Sequence, residues 1–225
     1  MIFGMERKIN FSVGEFYHIY NRGVEKRDIF LDANDRERFL RLLYAANGTS
    51  PLKFREIENK PYELIERGDC RLAVGAYCLM PNHFHILVKE IVESGISSFM
   101  EKMITAYSMY FNKRHTRVGP LFQGRFKAQH VGSDEYLKYL FSYIHLNPVK
   151  LIQPLWKEKG ISNRRGAKQY LRTYRQSSYQ DYIGMDRPEK VILTGVEFPE
   201  YFGSQHDFDS FVDDWLEYGE YLGQP

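Results

Sequence analysis

Between Glu15 and Asn21 the chain reads EFYHIYN, aromatic and β-branched, and a Gly23 turn follows; this predicts a strand. Asn34 then offers a helix cap with Glu37 three residues on, and Phe39, Leu40 and Leu43 supply an apolar stripe for a first helix. Gly48 to Asp69, with two prolines and scattered charges, reads as a connecting insertion with one short helical turn. Arg71–Leu79 and His83–Lys89 are two further strands, joined by a Met80-Pro81-Asn82 turn. From about Ser94 to Arg114, Ile96, Phe99, Met100, Met103, Tyr107 and Phe111 follow the three-and-four spacing of one buried helical face.

Gly119-Pro120 breaks the chain. Phe122–Val131 reads as a fourth strand, and Ser133 followed by two acids opens a third helix. Pro148 should stop that helix near Asn147, because it disfavours helical geometry in the residue before it. The order β-α-β-β-α-β-α predicts an α+β fold: a ferredoxin-like, split βαβ antiparallel sheet with one added helix. Residues 1–149 are expected to form this domain. Residues 150–225 read as an appendage, first basic and tyrosine-rich, then acidic and aromatic, with a final helix at Phe208–Leu222.

Composition narrows the class. The 225 residues are 43% hydrophobic and 27% charged, an ordinary globular balance. No apolar run approaches the ~20 residues needed to span a bilayer, and MIFGMERKIN lacks a secretory apolar stretch, so no membrane association is expected and Met1 is read as the mature start. Cys70 and Cys78, the only cysteines, form no metal-type pair and point to a reducing cytoplasm. The net charge of +2 is small, but basic residues gather between Lys113 and Lys127 and between Lys150 and Arg175, where they could meet phosphates.

The sharpest chemical signal is His83-Phe84-His85. Strand alternation puts both imidazoles on one face and Phe84, Ile86 and Val88 on the other. Two such imidazoles can ligate one divalent ion if a third ligand joins them; taken alone, the pair is more often just two histidines on a half-exposed strand. The second signal is Tyr143-Ile-His-Leu-Asn147-Pro148. Tyr143 and Asn147, four apart, lie one above the other on one helical face, with Tyr136 and Leu140 in the same stripe. On spacing alone Tyr143 is a packed aromatic, one of 17 tyrosines.

Together these blocks resemble the single-tyrosine HUH transposases, and within them the REP-associated tyrosine transposase branch. The resemblance runs from about residue 14 to 184, through YHIYNRG at Tyr17–Gly23, AYCLMPNHFHILV at Ala76–Val88, YFNKRHTRVGPLFQGRFKA at Tyr110–Ala128, YIHLNP at Tyr143–Pro148 and YRQSSYQDYIG at Tyr174–Gly184. It implies a ferredoxin-like sheet with the histidine pair on a central strand. It further implies His83 and His85 as metal ligands, Tyr143 as nucleophile, and Asn147 as third ligand where many relatives carry a longer glutamine. Asn-Pro at this point resembles the REP-associated branch in particular. The segment Gly48–Asp69 departs from the family, whose connection there is usually shorter.

The implied activity is metal-dependent cleavage and strand transfer of single-stranded DNA through a covalent 5′-phosphotyrosine. The expected ion is Mg²⁺ or Mn²⁺, the expected partner single-stranded DNA with REP-type hairpins, and the protein a monomer or homodimer. Arg125, Lys127 and Gln129 alternate on the fourth strand and Arg22 follows the first; Arg22, Arg125 and Lys127 are the candidate phosphate contacts. One rival is a relaxase or replication-initiator nickase of the same class, whose usual three-histidine motif is not found here. The other is a non-catalytic ferredoxin-like nucleic-acid-binding module, for which the RNP-type aromatic run is missing.

Overall fold

The computed structural model describes residues 10–53, 57, 58 and 60–218. Four strands alternate with helices in the predicted order. These are β1 (Phe16–Arg22), α1 (Ala33–Ala45), β2 (Leu72–Met80), β3 (His83–Glu90), α2 (Gly95–Arg114), β4 (Lys127–His130) and α3 (Asp134–Leu146). The sheet order is β2-β3-β1-β4 with every neighbouring pair antiparallel, the ferredoxin-like arrangement. Beyond it come α4 (Arg164–Thr173) and α5 (Gln205–Tyr218).

Strand alternation divides the apolar side chains between two layers. Ile19, Val74, Tyr77, Phe84, Ile86 and Val88 bury against α1 and α2. Ala73, Ala76, Cys78 and Leu87 bury against Leu137, Leu140, Phe141 and Ile144 of α3. A bulge between Val74 and Ala76 shifts the register, so residues on either side of Gly75 keep their layers without strict alternation. Gly75 itself lies under the Phe198 ring, where a β-carbon would stand 2.6 Å from ring carbons.

Three local expectations are corrected. The cap of α1 is Asp32, not Asn34: its carboxylate accepts from the Asp35 amide at 3.0 Å, and the Asp35 carboxylate accepts from Leu31. Arg114 of α2 binds both carboxylates, which draws the helix start two residues earlier. The fourth strand is only Lys127–His130, because Gly124 takes a positive φ in a turn closed onto Phe122. Arg125 therefore precedes the strand and does not alternate with Lys127. The last helix starts at Gln205, three residues before the expected Phe208; the expected residues past Tyr218 lie outside those described. The short turn foreseen in the insertion is a 3₁₀ turn at Tyr62–Leu64.

Residues beyond Lys150 close the free edge of β2. Leu79 donates to the Gln176 carbonyl, Ser178 donates to the Tyr77 carbonyl, and Thr194 donates to Val74, so exposed strand groups find partners. Arg187 ties this segment down: its guanidinium meets the Asp181 carboxylate at 2.5 and 2.8 Å, the Tyr77 hydroxyl at 2.6 Å and the Ser177 carbonyl at 2.9 Å. Outside it, Phe208, Val212 and Leu216 of α5 pack with Ala167 and Leu171 of α4 and with Leu146 and Val149. Lys168 and Arg172 bind Asp209 across the same seam at 2.9 and 2.6 Å.

Arg187 and Asp181 are almost completely buried, so removing one leaves an uncompensated charge. Arg187→Met is expected to lower stability by about 3–5 kcal/mol, read as the shift of the urea unfolding midpoint. A shift under about 1 kcal/mol would place this pair among the weak surface bridges.

Candidate active site

The face of the sheet under α3 carries the titratable residues. Antiparallel register sets Arg22 opposite His83 and Tyr20 opposite His85, while Lys127 and Gln129 of β4 lie opposite Tyr20 and His18. Residues directly opposite on antiparallel strands point to the same side. His18, Tyr20, Arg22, His83, His85, Lys127 and Gln129 therefore share one face. Phe84 and Ile86, as predicted, turn to the other.

The two predicted histidines lie side by side, with ring centroids 5.1 Å apart and planes nearly perpendicular. Each has one nitrogen engaged by a neighbour. The His83 Nδ1–H donates to the Asn82 amide oxygen at 2.6 Å, and His85 Nδ1 lies 2.9 Å from His18 Nε2. Such contacts orient both rings, and Nε2 of each is the nitrogen that would serve as a metal ligand. Burial lowers His18 to about 4; burial, with Lys150 and Arg22 nearby, lowers His83 to about 4. Both are neutral at pH 7, the form in which imidazole binds a metal.

Helix α3 brings the second motif to the same place. The Ser133 hydroxyl caps it by accepting from Tyr136, and Asp134 and Glu135 suit the positive end of its dipole. Its buried stripe Leu137, Leu140, Phe141 and Ile144 seats it on the sheet, which turns Tyr143 towards the histidines. The Tyr143 ring lies edge-on to His18 at 5.8 Å and to His85 at 5.7 Å. Burial, and then the neighbouring Tyr20, raise its phenol above the ordinary value, so it is protonated at rest.

One turn on, Asn147 is buried. Its side-chain N–H donates to the Tyr143 carbonyl at 2.8 Å, while its Oδ1 is buried with no hydrogen-bond partner. A buried, unsatisfied amide oxygen is costly unless something meets it. No group of three or more His, Cys, Asp or Glu residues converges to hold a metal among the described residues. The His83 and His85 imidazoles plus this orphaned oxygen nevertheless form a donor set that fits a divalent ion.

Of the predicted phosphate contacts, Arg22 is exposed beside His83, with its guanidinium held by Gln123 at 2.8 Å. Lys127 and Arg125 are exposed, the first on β4 and the second before it. His18 was missed in the sequence, where it is one histidine of seven; its place two residues before Tyr20 on an aromatic strand marked its face but not its partner. His145, beside the motif, is buried and points away: its Nδ1–H donates to the Phe141 carbonyl, and its Nε2 accepts from the Ser178 hydroxyl at 2.7 Å.

The family described as "Transposase IS200 like" matches this chain over residues 17–147, which takes in every residue from His18 to Asn147. No curated protein matches significantly. Among solved structures, a REP-associated tyrosine transposase bound to a REP hairpin is similar at 12% identity and a TM-score of 0.49. That likeness covers 82% of this chain and 89% of the other.

Two buried imidazoles, His18 and His145, and the half-buried His83 set a pH dependence. His18 and His83 are lowered to about 4 and His145 to about 3, all by burial first. In the unfolded chain each takes up its proton near ~6.5, in the folded chain only well below. Their contribution to stability is thus complete above pH ~6.5 and is lost as pH falls towards 4. The urea midpoint should decline between pH 6.5 and 4.5, and less steeply in His145→Gln. A flat profile would mean these rings are charged in the folded protein.

Proposed function

The chain belongs to the IS200-like transposase family, and from that footing we propose that it cuts and rejoins single-stranded DNA with Tyr143 as nucleophile. The observation that carries the reading is the Tyr143 ring set against His18 and His85, one helical turn before a buried amide oxygen without a partner.

In the proposed reaction the Tyr143 hydroxyl oxygen attacks the scissile phosphorus. A phosphorus–oxygen bond forms to the phenol, the bond to the 3′ oxygen breaks, and the phenolic proton passes to the released 3′ oxygen through solvent. The product is a 5′-phosphotyrosine and a free 3′ hydroxyl. A second 3′ hydroxyl reverses the step on the same linkage, which transfers strands without a nucleotide cofactor. His83 and His85, through Nε2, and Asn147, through Oδ1, would hold Mg²⁺ or Mn²⁺, which when bound polarises the phosphate. His18 keeps His85 oriented. Arg22, Lys127 and Arg125 supply positive charge for the flanking phosphates.

The preferred substrate in this reading is single-stranded DNA that folds into REP-type hairpins, an assignment supported by the Asn-Pro ending of the YIHLNP motif.

The nucleophile is tested by Tyr143→Phe, which removes one oxygen and keeps the ring. Cleavage of hairpin-bearing single strands should fall by more than about 1000-fold while binding persists. Wild-type protein should yield an adduct that survives denaturant and maps to Tyr143. An adduct on Tyr136 or Tyr139, or cleavage with no adduct, would overturn the assignment.

Metal is tested by removal. EDTA should abolish cleavage and Mn²⁺ restore it, whereas His83→Ala should stay inactive with Mn²⁺ present. Undiminished cleavage by metal-stripped protein in EDTA would reject the site. Affinity should also fall with salt, and replacing Arg125 and Lys127 by alanine should reduce the log–log salt slope by about 1.4; an unchanged slope would remove both from the phosphate path.

A further inference from the structure

Helix α3 presents tyrosine at 136, 139 and 143, one for each successive turn. The Tyr136 and Tyr139 rings have centroids 6.0 Å apart and planes only 18° from parallel, and Tyr143 continues the row 5.8 Å from Tyr139. Trp215 reaches across from α5 and lies 5.0 Å from Tyr139. The buried stripe of α3 already attaches the helix to the sheet, yet all four of these rings remain half-exposed.

The surroundings of the row are polar and cationic. Helix α3 lies over β2 and β3, while the β1–β4 side of the same face keeps Lys127 and Gln129 exposed, with exposed Arg125 just before them. Tyr20 stands between, close enough to act electrostatically on both Tyr136 and Tyr143. An aromatic wall beside exposed cations suits a ligand with flat apolar faces and a phosphate backbone. A wholly apolar ligand would leave those cations unanswered.

We propose that Tyr136, Tyr139 and Trp215 form a stacking platform for unpaired DNA bases flanking the phosphate presented to Tyr143, with the strand's backbone passing Lys127 and Arg125. The inference rests on the reading of Tyr143 as nucleophile and names where the adjoining strand lies. Stacking on an aromatic face tolerates any base, because every base has a π-face. Burial raises both Tyr136 and Tyr139, the latter to about 12, so neither phenol carries a negative charge that would repel phosphates. The inference also assigns work to the C-terminal segment: α5 supports the platform through Trp215.

The experiment measures equilibrium binding by the full chain, in EDTA to prevent cutting, of a labelled DNA hairpin with an unpaired extension. The comparison DNA carries the same extension with abasic sites in place of bases. A 2-aminopurine placed in the extension reports stacking by quenching. The unaltered protein should bind the base-bearing extension about tenfold more tightly than the abasic one and quench the 2-aminopurine. Tyr139→Ala should lose both effects and Tyr139→Phe keep them; Trp215→Ala should weaken them in the same direction.

Equal affinity for base-bearing and abasic extensions by the unaltered protein would overturn the platform, even if Tyr139→Ala failed to fold. So would unchanged binding and quenching in a folded Tyr139→Ala. Failure to bind either DNA would overturn both the platform and the proposed function. If base-dependent binding holds while Tyr143→Phe still cuts, the nucleophile assignment fails and the platform stands.

Discussion

Helix α3 can lie across the sheet because β2 meets it along most of its length with the small side chains of Ala73, Ala76 and Cys78, Met80 joining them only at the strand's end. Close approach there is what brings Tyr143 within ring contact of His18 and His85 on the neighbouring strands. The bulge at Gly75 maintains the arrangement: without the register shift, the residues beyond it would exchange layers, and Tyr77 would meet the helix in place of Cys78. The small residues, the bulge and the buried stripe of α3 thus act as one constraint on the candidate site.

Electrostatics within that constraint favour neutral groups. His18 and His83 are held uncharged by burial, and Tyr143 keeps its proton. The cations Arg22, Lys127 and Arg125 stay in solvent around the rim. Such a division suits an anionic ligand, whose charge would be met at the edge while an uncharged interior receives the reacting group. The orphaned oxygen of Asn147 is the exception, a buried acceptor with no hydrogen-bond partner among the described residues.

The segment after Lys150 supports the same helix from behind. Ser178 completes the hydrogen bonding of His145 in α3 and also accepts from the Tyr77 amide in β2, so one hydroxyl links the helix to the sheet edge. Arg187 buries its charge against Asp181 and Tyr77 a few residues away. Ser177, Ser178 and Asp181 of the YRQSSYQDYIG block make these contacts, which gives that block a packing role.

The local pattern of the sequence determined most of the element order. Alternation placed His83 and His85 on one face and helical spacing placed Tyr143 above Asn147, because these are effects of neighbours along the chain; α3 does end at Leu146, but Asn147 keeps helical angles and Pro148 sits in a 3₁₀ turn, Asn147–Leu151, rather than excluding helical geometry before it. What the sequence could not determine depends on partners far apart in it. The α1 cap moved to Asp32 because Arg114, some eighty residues on, binds there. The fourth strand shortened, and Arg125 left it, because Gly124 turns against the end of β1. His18 acquired its partner only when β1 paired with β3, and Trp215 reached Tyr139 only when α5 folded back. Periodicity reports which face a residue takes; which residue waits across that face is decided by strand order and packing, and only the tertiary structure contains those.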